Sequence, residues 1–508
     1  MSFMHIGLPF FVFSLGLAVA CQAEKGGNDI RPPAVAGKFY PESAAVLKLA
    51  IEKFMQDALP QRVKEPLSIV VPHAGYIYSG QICADGYSQV RRRTYDVVVI
   101  LGTNHTAPGL RKIALYTGDG FRTPLGTALV DKEAVAALIA ACPDCVADKG
   151  PHLREHSVEV QVPFIQVLFP DAKIIPAIVG EADPAMANRF GAALAKVLAG
   201  RRALVVASSD LSHYPSAEDA SVVDKKTLAA IASLDTTALR TTIKTQEASR
   251  IRGLDTCACG EAPIMAAMAA SRAMGATTGQ VVSYANSGDL PIGEREHVVG
   301  YGAVVFTAGR ETAKTAATAA SAAADRNLTP ADRKALLALA RETISRYLTV
   351  QMVPLPRGLS PAAMEQRGVF VTLKKGGDLR GCIGRMIPDR PLASLVGAMA
   401  LQSAFEDPRF HPVTLEEVPK LEIEISVLTP MKPISGPSEI VVGRDGVLLQ
   451  KGGRSAVFLP QVAPEQGWKR DEMLDNLARK AGLPEEAWRE GARFSTFQAI
   501  VFSEADTR

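Results

Sequence analysis

A chain of 508 residues is too long for one hydrophobic core, and length alone predicts roughly two to four domains. With 47% hydrophobic and 21% charged residues, it is neither disordered nor fibrous. A net charge of +3 and the absence of a basic stripe argue against a dedicated nucleic-acid binder, and seven scattered cysteines argue against a disulfide scaffold.

In chain order, the first feature is an apolar, uncharged run over residues 6–20, closed by Ala18-Val19-Ala20-Cys21. It is short for a membrane span, which takes about 20 residues. An apolar core ending in an A-x-A step predicts a secretory signal over residues 1–21, with Cys21 as a lipid acceptor. The run lacks a preceding Lys or Arg, and Ala18 stands where lipoprotein signals carry Leu. Export to the periplasm, with Cys21 as the one membrane anchor, is the expectation. A cytoplasmic chain with a mis-assigned start is the alternative.

From Arg31 to Thr307, short β-branched runs alternate with helix-like stretches. Strands are predicted at 67–71, 96–101, 173–179 and 203–208, and helices at 131–142 and 184–199. This alternation predicts an α/β sheet covered on both faces, with functional residues just beyond strand carboxyl ends. Residues 308–326, rich in Ala and Thr, cannot bury a core and read as a linker. A second, α+β domain follows over 327–508. Thr329 is its predicted first N-cap, with Pro330 opening the helix. Strands are predicted at 368–374, 421–428, 446–450 and 455–460.

Six of the eight histidines lie between positions 73 and 297, so the chemistry concentrates in the first domain. His73 follows the first strand and His105 the second, while Asp210 and His213 follow the fourth. The Cys257-Ala258-Cys259-Gly260 stretch precedes a predicted helix, whose positive end lowers a nearby thiol's pKa. Imidazole and thiolate are the usual transition-metal ligands, but spacing across separate loops does not distinguish a metal site from hydrogen-bonded structural histidines. His156 and Glu159 share a helical face and are expected beside the same cleft. Cys142 and Cys145 form a lone C-P-D-C, read as an incidental pair or a local disulfide rather than a zinc site.

The strings R-P-P-A-V-A-G-K-F-Y-P, P-H-A-G-Y-I-Y-S-G, L-G-T-N-H, E-H-S-V-E-V-Q-V-P-F, S-S-D-L-S-H and C-G-E-A-P-I occur in this order over residues 31–306. They resemble the Memo-like family, called AmmeMemoRadiSam system protein B in bacteria. That resemblance implies a fold like the class III extradiol dioxygenases, which use non-haem Fe(II). It implies metal ligands at His73, His105 and Cys259, with Cys257 as a competitor for the cysteine position. Asp210 and His213 would line the cleft and, with His156, serve as its catalytic groups. The second domain, through L-R-G-C-I-G, A-F-E-D-P-R-F-H-P-V and L-E-I-E-I-S-V-L-T-P, resembles the Ammecr-like family, AmmeMemoRadiSam system protein A. There Gly381 and Gly384 suit a tight turn that exposes Arg380 and Cys382. This reads either as an anion- or thiol-dependent site or as a glycine-shaped turn with a buried cysteine. His411 has no evident partner.

Three functions follow as expectations. The first is a mononuclear metal enzyme, with iron as Fe(II) or alternatively copper, doing dioxygenase-like redox chemistry on a small molecule. The second is a metal- or peptide-binding module without catalysis, and the third a metal chaperone. A radical-SAM protein of the same system is the expected protein partner.

Overall fold

The structure, a computed structural model, describes residues 29–309 and 327–507. The apolar run 6–20, Cys21 and most of the Ala/Thr-rich linker lie outside the described residues. Among those described, no helix is long and apolar enough to cross a membrane.

The first domain is built on an eight-stranded sheet. Its order is Thr278–Asn286, Gly300–Thr307, Pro66–Val71, Ala203–Ser208, Val97–Thr103, Lys173–Val179, Ile113–Leu115 and Cys145–Ala147. The four strands from Pro66–Val71 to Lys173–Val179 run parallel, and antiparallel pairings flank them on each side. These four are the predicted apolar runs, buried on both faces as their unbroken Val, Ile and Leu content requires.

Strand periodicity sends Ser68 and Val71 to opposite faces. Ser68 meets Ser271 on helix Glu261–Ala273, while Val71 lies under Gly86 of helix Tyr76–Ser88. Helices therefore cover both sides. The predicted helices form as Lys132–Ala141 and Pro184–Val197, each capped by the preceding aspartate, Asp131 or Asp183. Because the central strands are parallel, their carboxyl ends lie along one edge. The loops after Val71, Ser208 and Thr103 leave that edge side by side.

The second domain opens with helix Pro330–Val350. Thr329 and Asp332 close a reciprocal capping box at its start. One antiparallel sheet orders Asp378–Arg385, Val369–Lys375, Leu421–Leu428 and Ala499–Ser503. Helices Pro330–Val350 and Leu392–Phe405 share its apolar core. A second antiparallel sheet holds Lys432–Ile434, Arg493–Phe497, Gly446–Lys451 and Arg454–Phe458, and packs with helix Arg470–Lys480 around a separate core. The domain thus has two lobes, a division the sequence reading did not anticipate.

The tight turn expected at Gly381 and Gly384 is a correction, because both lie inside strand Asp378–Arg385. The turn sits earlier, at Gly376-Gly377, whose φ values of 62° and 92° suit a two-residue hairpin loop. Gly381 and Gly384 serve close packing instead. A Cβ on Gly381 would stand 2.1 Å from the Ser403 carbonyl oxygen, and one on Gly384 2.1 Å from the Phe370 ring.

The domains are packed together. Arg357 donates from both terminal nitrogens to the fully buried Asp85, at 2.9 and 2.7 Å. Leu290, Val353 and Leu401 form an apolar cluster between them. Ser394 Oγ donates to the Asp289 carbonyl at 3.0 Å.

Candidate metal centre

Three loops at the sheet edge and one helix start build the cleft. His73 is carried just past strand Pro66–Val71, where its backbone N–H and that of Ala74 donate to Asp210 Oδ1 at 2.8 and 3.2 Å. His105 leaves strand Val97–Thr103, and Asp210 and His213 leave Ala203–Ser208. Cys259 arrives from the other side, immediately before helix Glu261–Ala273. Gly260 makes that approach workable: a Cβ there would lie 2.5 Å from Ser209 Cβ and 2.8 Å from the Ser208 carbonyl. Its N–H donates to Ser209 Oγ at 2.9 Å, pinning the helix start to the strand end.

The ligand-type atoms of His73, His105 and Cys259 all lie within 4.8 Å of one another. So do those of Asp210, His213 and Cys259, and those of His105, Glu155 and His156. The His105 and His156 rings stack with centroids 4.7 Å apart, and His73 stands edge-on to both.

Hydrogen bonds fix which ring nitrogens face the cleft. Ser208 Oγ donates its one proton to the Ser157 carbonyl at 2.6 Å, so it accepts from His73 Nδ1 at 3.2 Å. His73 Nε2 is therefore the unprotonated nitrogen, and it faces Cys259 Sγ at 3.2 Å. At His105, Nδ1 donates to Glu155 Oε1 at 2.9 Å, while the His105 N–H binds Oε2 at 2.8 Å. Burial works against the Glu155 charge, but the bonds from His105 and Ser157 carry its pKa down to about 2. With Nδ1 given to Glu155, Nε2 is the His105 ring nitrogen left to face the cleft. A carboxylate or hydroxyl behind a histidine is the arrangement that orients imidazoles toward a metal.

Burial, and next the neighbouring His105, push His73 down to about 3; burial, then His73, push His156 down to about 4. Both rings are neutral at ordinary pH. The Cys259 thiol shifts opposite to the helix-end expectation: burial raises its pKa strongly, and the negative Asp210 adds to this. The helix end does not outweigh those two effects, so the chain alone holds a thiol here. His213 Nε2 is buried without a hydrogen-bond partner, beside Asp210 and Cys259.

A Memo-like protein family model matches residues 31–305, and an AMMECR1 model matches residues 337–502. The chain belongs to the Memo-like family. A MEMO1 family protein of Methanobrevibacter smithii is 35% identical over 292 residues, spanning 54% of this chain and 99% of that protein. One from Aquifex aeolicus is 36% identical over 278 residues, spanning 54% and 99%. Among solved structures, the uncharacterized protein PH0010 of Pyrococcus horikoshii is 40% identical and matches 35% of this chain and 93% of its own, with a TM-score of 0.34.

Within the Memo-like domain, six of the residues singled out from sequence meet in one cleft: His73, His105, His156, Asp210, His213 and Cys259. Glu159 does not join them, which corrects the expectation that it shares the cleft with His156. It is fully buried behind the cleft, paired with Arg31 at 2.6 Å and accepting from Ala34 N, Val35 N and Tyr40 OH. Cys257 is also fully buried, and burial raises its thiol to about 12, with Glu247 and Asp224 as its charged neighbours. Cys142 and Cys145 are free thiols at the far sheet edge. Sequence reasoning missed Glu155, Ser208 and Gln161, whose Nε2 donates to Ser208 Oγ at 2.9 Å. Glu155 directly precedes His156, and that adjacency was the available signal.

Proposed function

We propose that the Memo-like domain is a mononuclear metal enzyme that binds iron through His73 Nε2, His105 Nε2 and Cys259 Sγ. One observation carries the reading: two imidazole rings and a thiol converge on one point, each imidazole oriented from behind by Ser208 or Glu155. The donor set fits a transition metal, since neutral imidazole and a soft sulfur are its preferred ligands. A metal also supplies the positive charge that the buried thiol needs to ionise beside Asp210.

When bound, ferrous iron supplies redox chemistry with dioxygen, as in non-haem oxygenases. The chain's own residues supply the rest. His213 Nε2, buried and unpartnered, is the group positioned to take or give a proton at a small substrate in the cleft. Asp210 holds the His73 loop by two backbone bonds, and its carboxylate faces His213. His156, stacked on His105, walls the third side. Kinship with the class III extradiol dioxygenases is part of this reading. So is export, which rests on the run 6–20 and on Cys21; intact mass from native cells checks it by the residue at which the mature chain starts.

Elemental analysis of protein from its native compartment tests the metal. One iron per chain is expected, with dioxygen uptake on adding reductant. His73→Ala, His105→Ala and Cys259→Ala should each give a folded, metal-poor protein. Full occupancy in all three variants rejects the ligand set.

A further inference from the structure

The second domain carries a cysteine in surroundings unlike those of Cys259. In strand Asp378–Arg385, Gly381 faces helix Leu392–Phe405 through the Ser403 backbone. Alternation therefore puts Cys382 and Gly384 on the opposite face, away from that helix, while Arg380 stands at a bulge in the pairing. Cys382 is half-buried. Its N–H donates to Asp407 Oδ2 at 2.9 Å, and Thr372 Oγ1 donates to its sulfur at 3.3 Å.

Cationic side chains cluster near the strand segment that carries this thiol. Arg409 spends Nε and Nη2 on Asp407, at 3.0 and 2.7 Å, and also reaches the Cys382 carbonyl. Arg380 spends Nε and Nη2 on Glu417, at 3.2 and 2.9 Å. Each guanidinium is thus oriented by a carboxylate, and among the described residues each leaves Nη1 without a hydrogen bond. On Arg380 that nitrogen is buried. The two guanidiniums lie against the Phe410 ring at 6.0 and 5.4 Å. With His411 and Pro408 they line a cavity of about 350 Å³. Lys480, from the other lobe, rests its ammonium on the Val457 carbonyl at 3.1 Å. Among the described residues it has no carboxylate partner, and Cys382 and Arg409 are among the groups whose charges reach it.

Oriented guanidinium edges that are not fully used match an oxyanion, most directly a carboxylate. A partly exposed thiol on the same stretch of strand, near these positive side chains, matches the setting of reactive cysteines. We infer that Cys382 is a nucleophile in an anion-receiving site of the second domain, acting on small electrophiles that carry a carboxylate. In the covalent step the thiol proton passes to solvent and the sulfur attacks the electrophilic carbon. An S–C bond forms as the bond from that carbon to the leaving group breaks, and the leaving group departs with the electron pair.

The probe pair is iodoacetate and its neutral counterpart iodoacetamide, used on the full chain, with alkylation of the Cys382 peptide followed by mass spectrometry. The readout is the iodoacetate-to-iodoacetamide rate ratio in the folded chain, divided by the same ratio in urea. This quotient should be about tenfold, the lower end of what a focused positive site gives, and should fall as salt is added. Arg409→Gln and Lys480→Gln should each lower it several-fold in variants that melt as the parent does. Lys480 is exposed, so its replacement leaves the core untouched. A quotient of one or less, a Cys382 inert to both reagents when folded, or a quotient unchanged in both variants overturns the inference.

Discussion

Cys259 and Cys382 are the two half-buried cysteines of the described chain, and their surroundings are opposites. Around Cys259 the chain places the neutral His73 ring and the carboxyl of Asp210, and burial raises the thiol's pKa. Around Cys382 it places Arg409 and Lys480. The first thiol lies beside a carboxyl, and the second near cationic side chains. A cysteine's chemistry is set by which partner stabilises its anion, and the two domains use the two available answers. Both cysteines adjoin a glycine that lets backbones meet, Gly260 against Ser208 and Gly381 against Ser403.

The sharpest way to break this comparison is to disturb the groups behind the first site and watch both. Glu155→Ala removes the acceptor of His105 Nδ1, and Ser208→Ala that of His73 Nδ1. Each is expected to weaken metal affinity by about 10- to 100-fold, read by titration with a competing chelator. The Cys382 alkylation ratio should not move. Wild-type affinity in both variants would mean that the imidazoles are not metal ligands.

The second expected effect concerns the joint between the sites. Arg357→Ala leaves the buried Asp85 facing only the Leu59 N–H, at 3.0 Å. An uncompensated buried charge costs about 3 kcal/mol, measurable by denaturant unfolding. The Ala/Thr-rich linker should be cut by protease in either protein. In the parent the fragments should stay together through the Asp85–Arg357 pair and the Leu290–Val353–Leu401 cluster. Fragments that separate equally from parent and variant would show that the pair does not hold the domains.

Much of the fold was legible because it is local. Apolar runs marked the four parallel strands within a residue or two, and Thr329-Pro330 marked its helix start. The meeting of His73, His105 and Cys259 was legible through strand-end position and resemblance together. What stayed hidden was non-local. Glu155 binds a histidine 50 residues away, and Ser208 one 135 away. Glu159 shares its helix turn with His156 but turns toward Arg31, a partner 128 residues off. Periodicity says that a residue is on a face, not which group waits there. Gly381 and Gly384 misled for a related reason, since a glycine serves a turn or a close approach equally well. Gly381→Ala separates the two uses: pressed on the Ser403 backbone, it should cost about 1–3 kcal/mol in an unfolding titration. An unperturbed variant would show that the strand and helix are not in that contact.

The smallest expected effect is a pair of opposite pH dependences, one for each site. Behind the first, Asp224 accepts from Ser212 N, Ser212 Oγ and Tyr284 OH and so holds the loop that carries Asp210 and His213. Burial, the dominant influence, raises its pKa to about 7 despite these bonds. A carboxyl that binds its proton more tightly in the folded chain stabilises the fold fully below its unfolded pKa of about 4. That contribution is lost as pH rises to about 7. Beside the second site the order reverses. Hydrogen bonds from Arg409 hold Asp407 at about 2, and those from Arg380 and Lys375 hold Glu417 at about 2. Their stabilisation is present above about pH 4 and is lost as pH falls toward 2. Melting temperature followed against pH separates the two. Asp224→Asn should flatten the fall between about pH 4 and 7, by a few degrees, and leave the limb below it alone. Glu417→Gln should flatten the acid limb and leave the neutral one. An Asp224→Asn curve that runs parallel to the parent through neutrality would mean that Asp224 ionises as an ordinary carboxylate, and that burial is not what sets the charge behind the His213 loop.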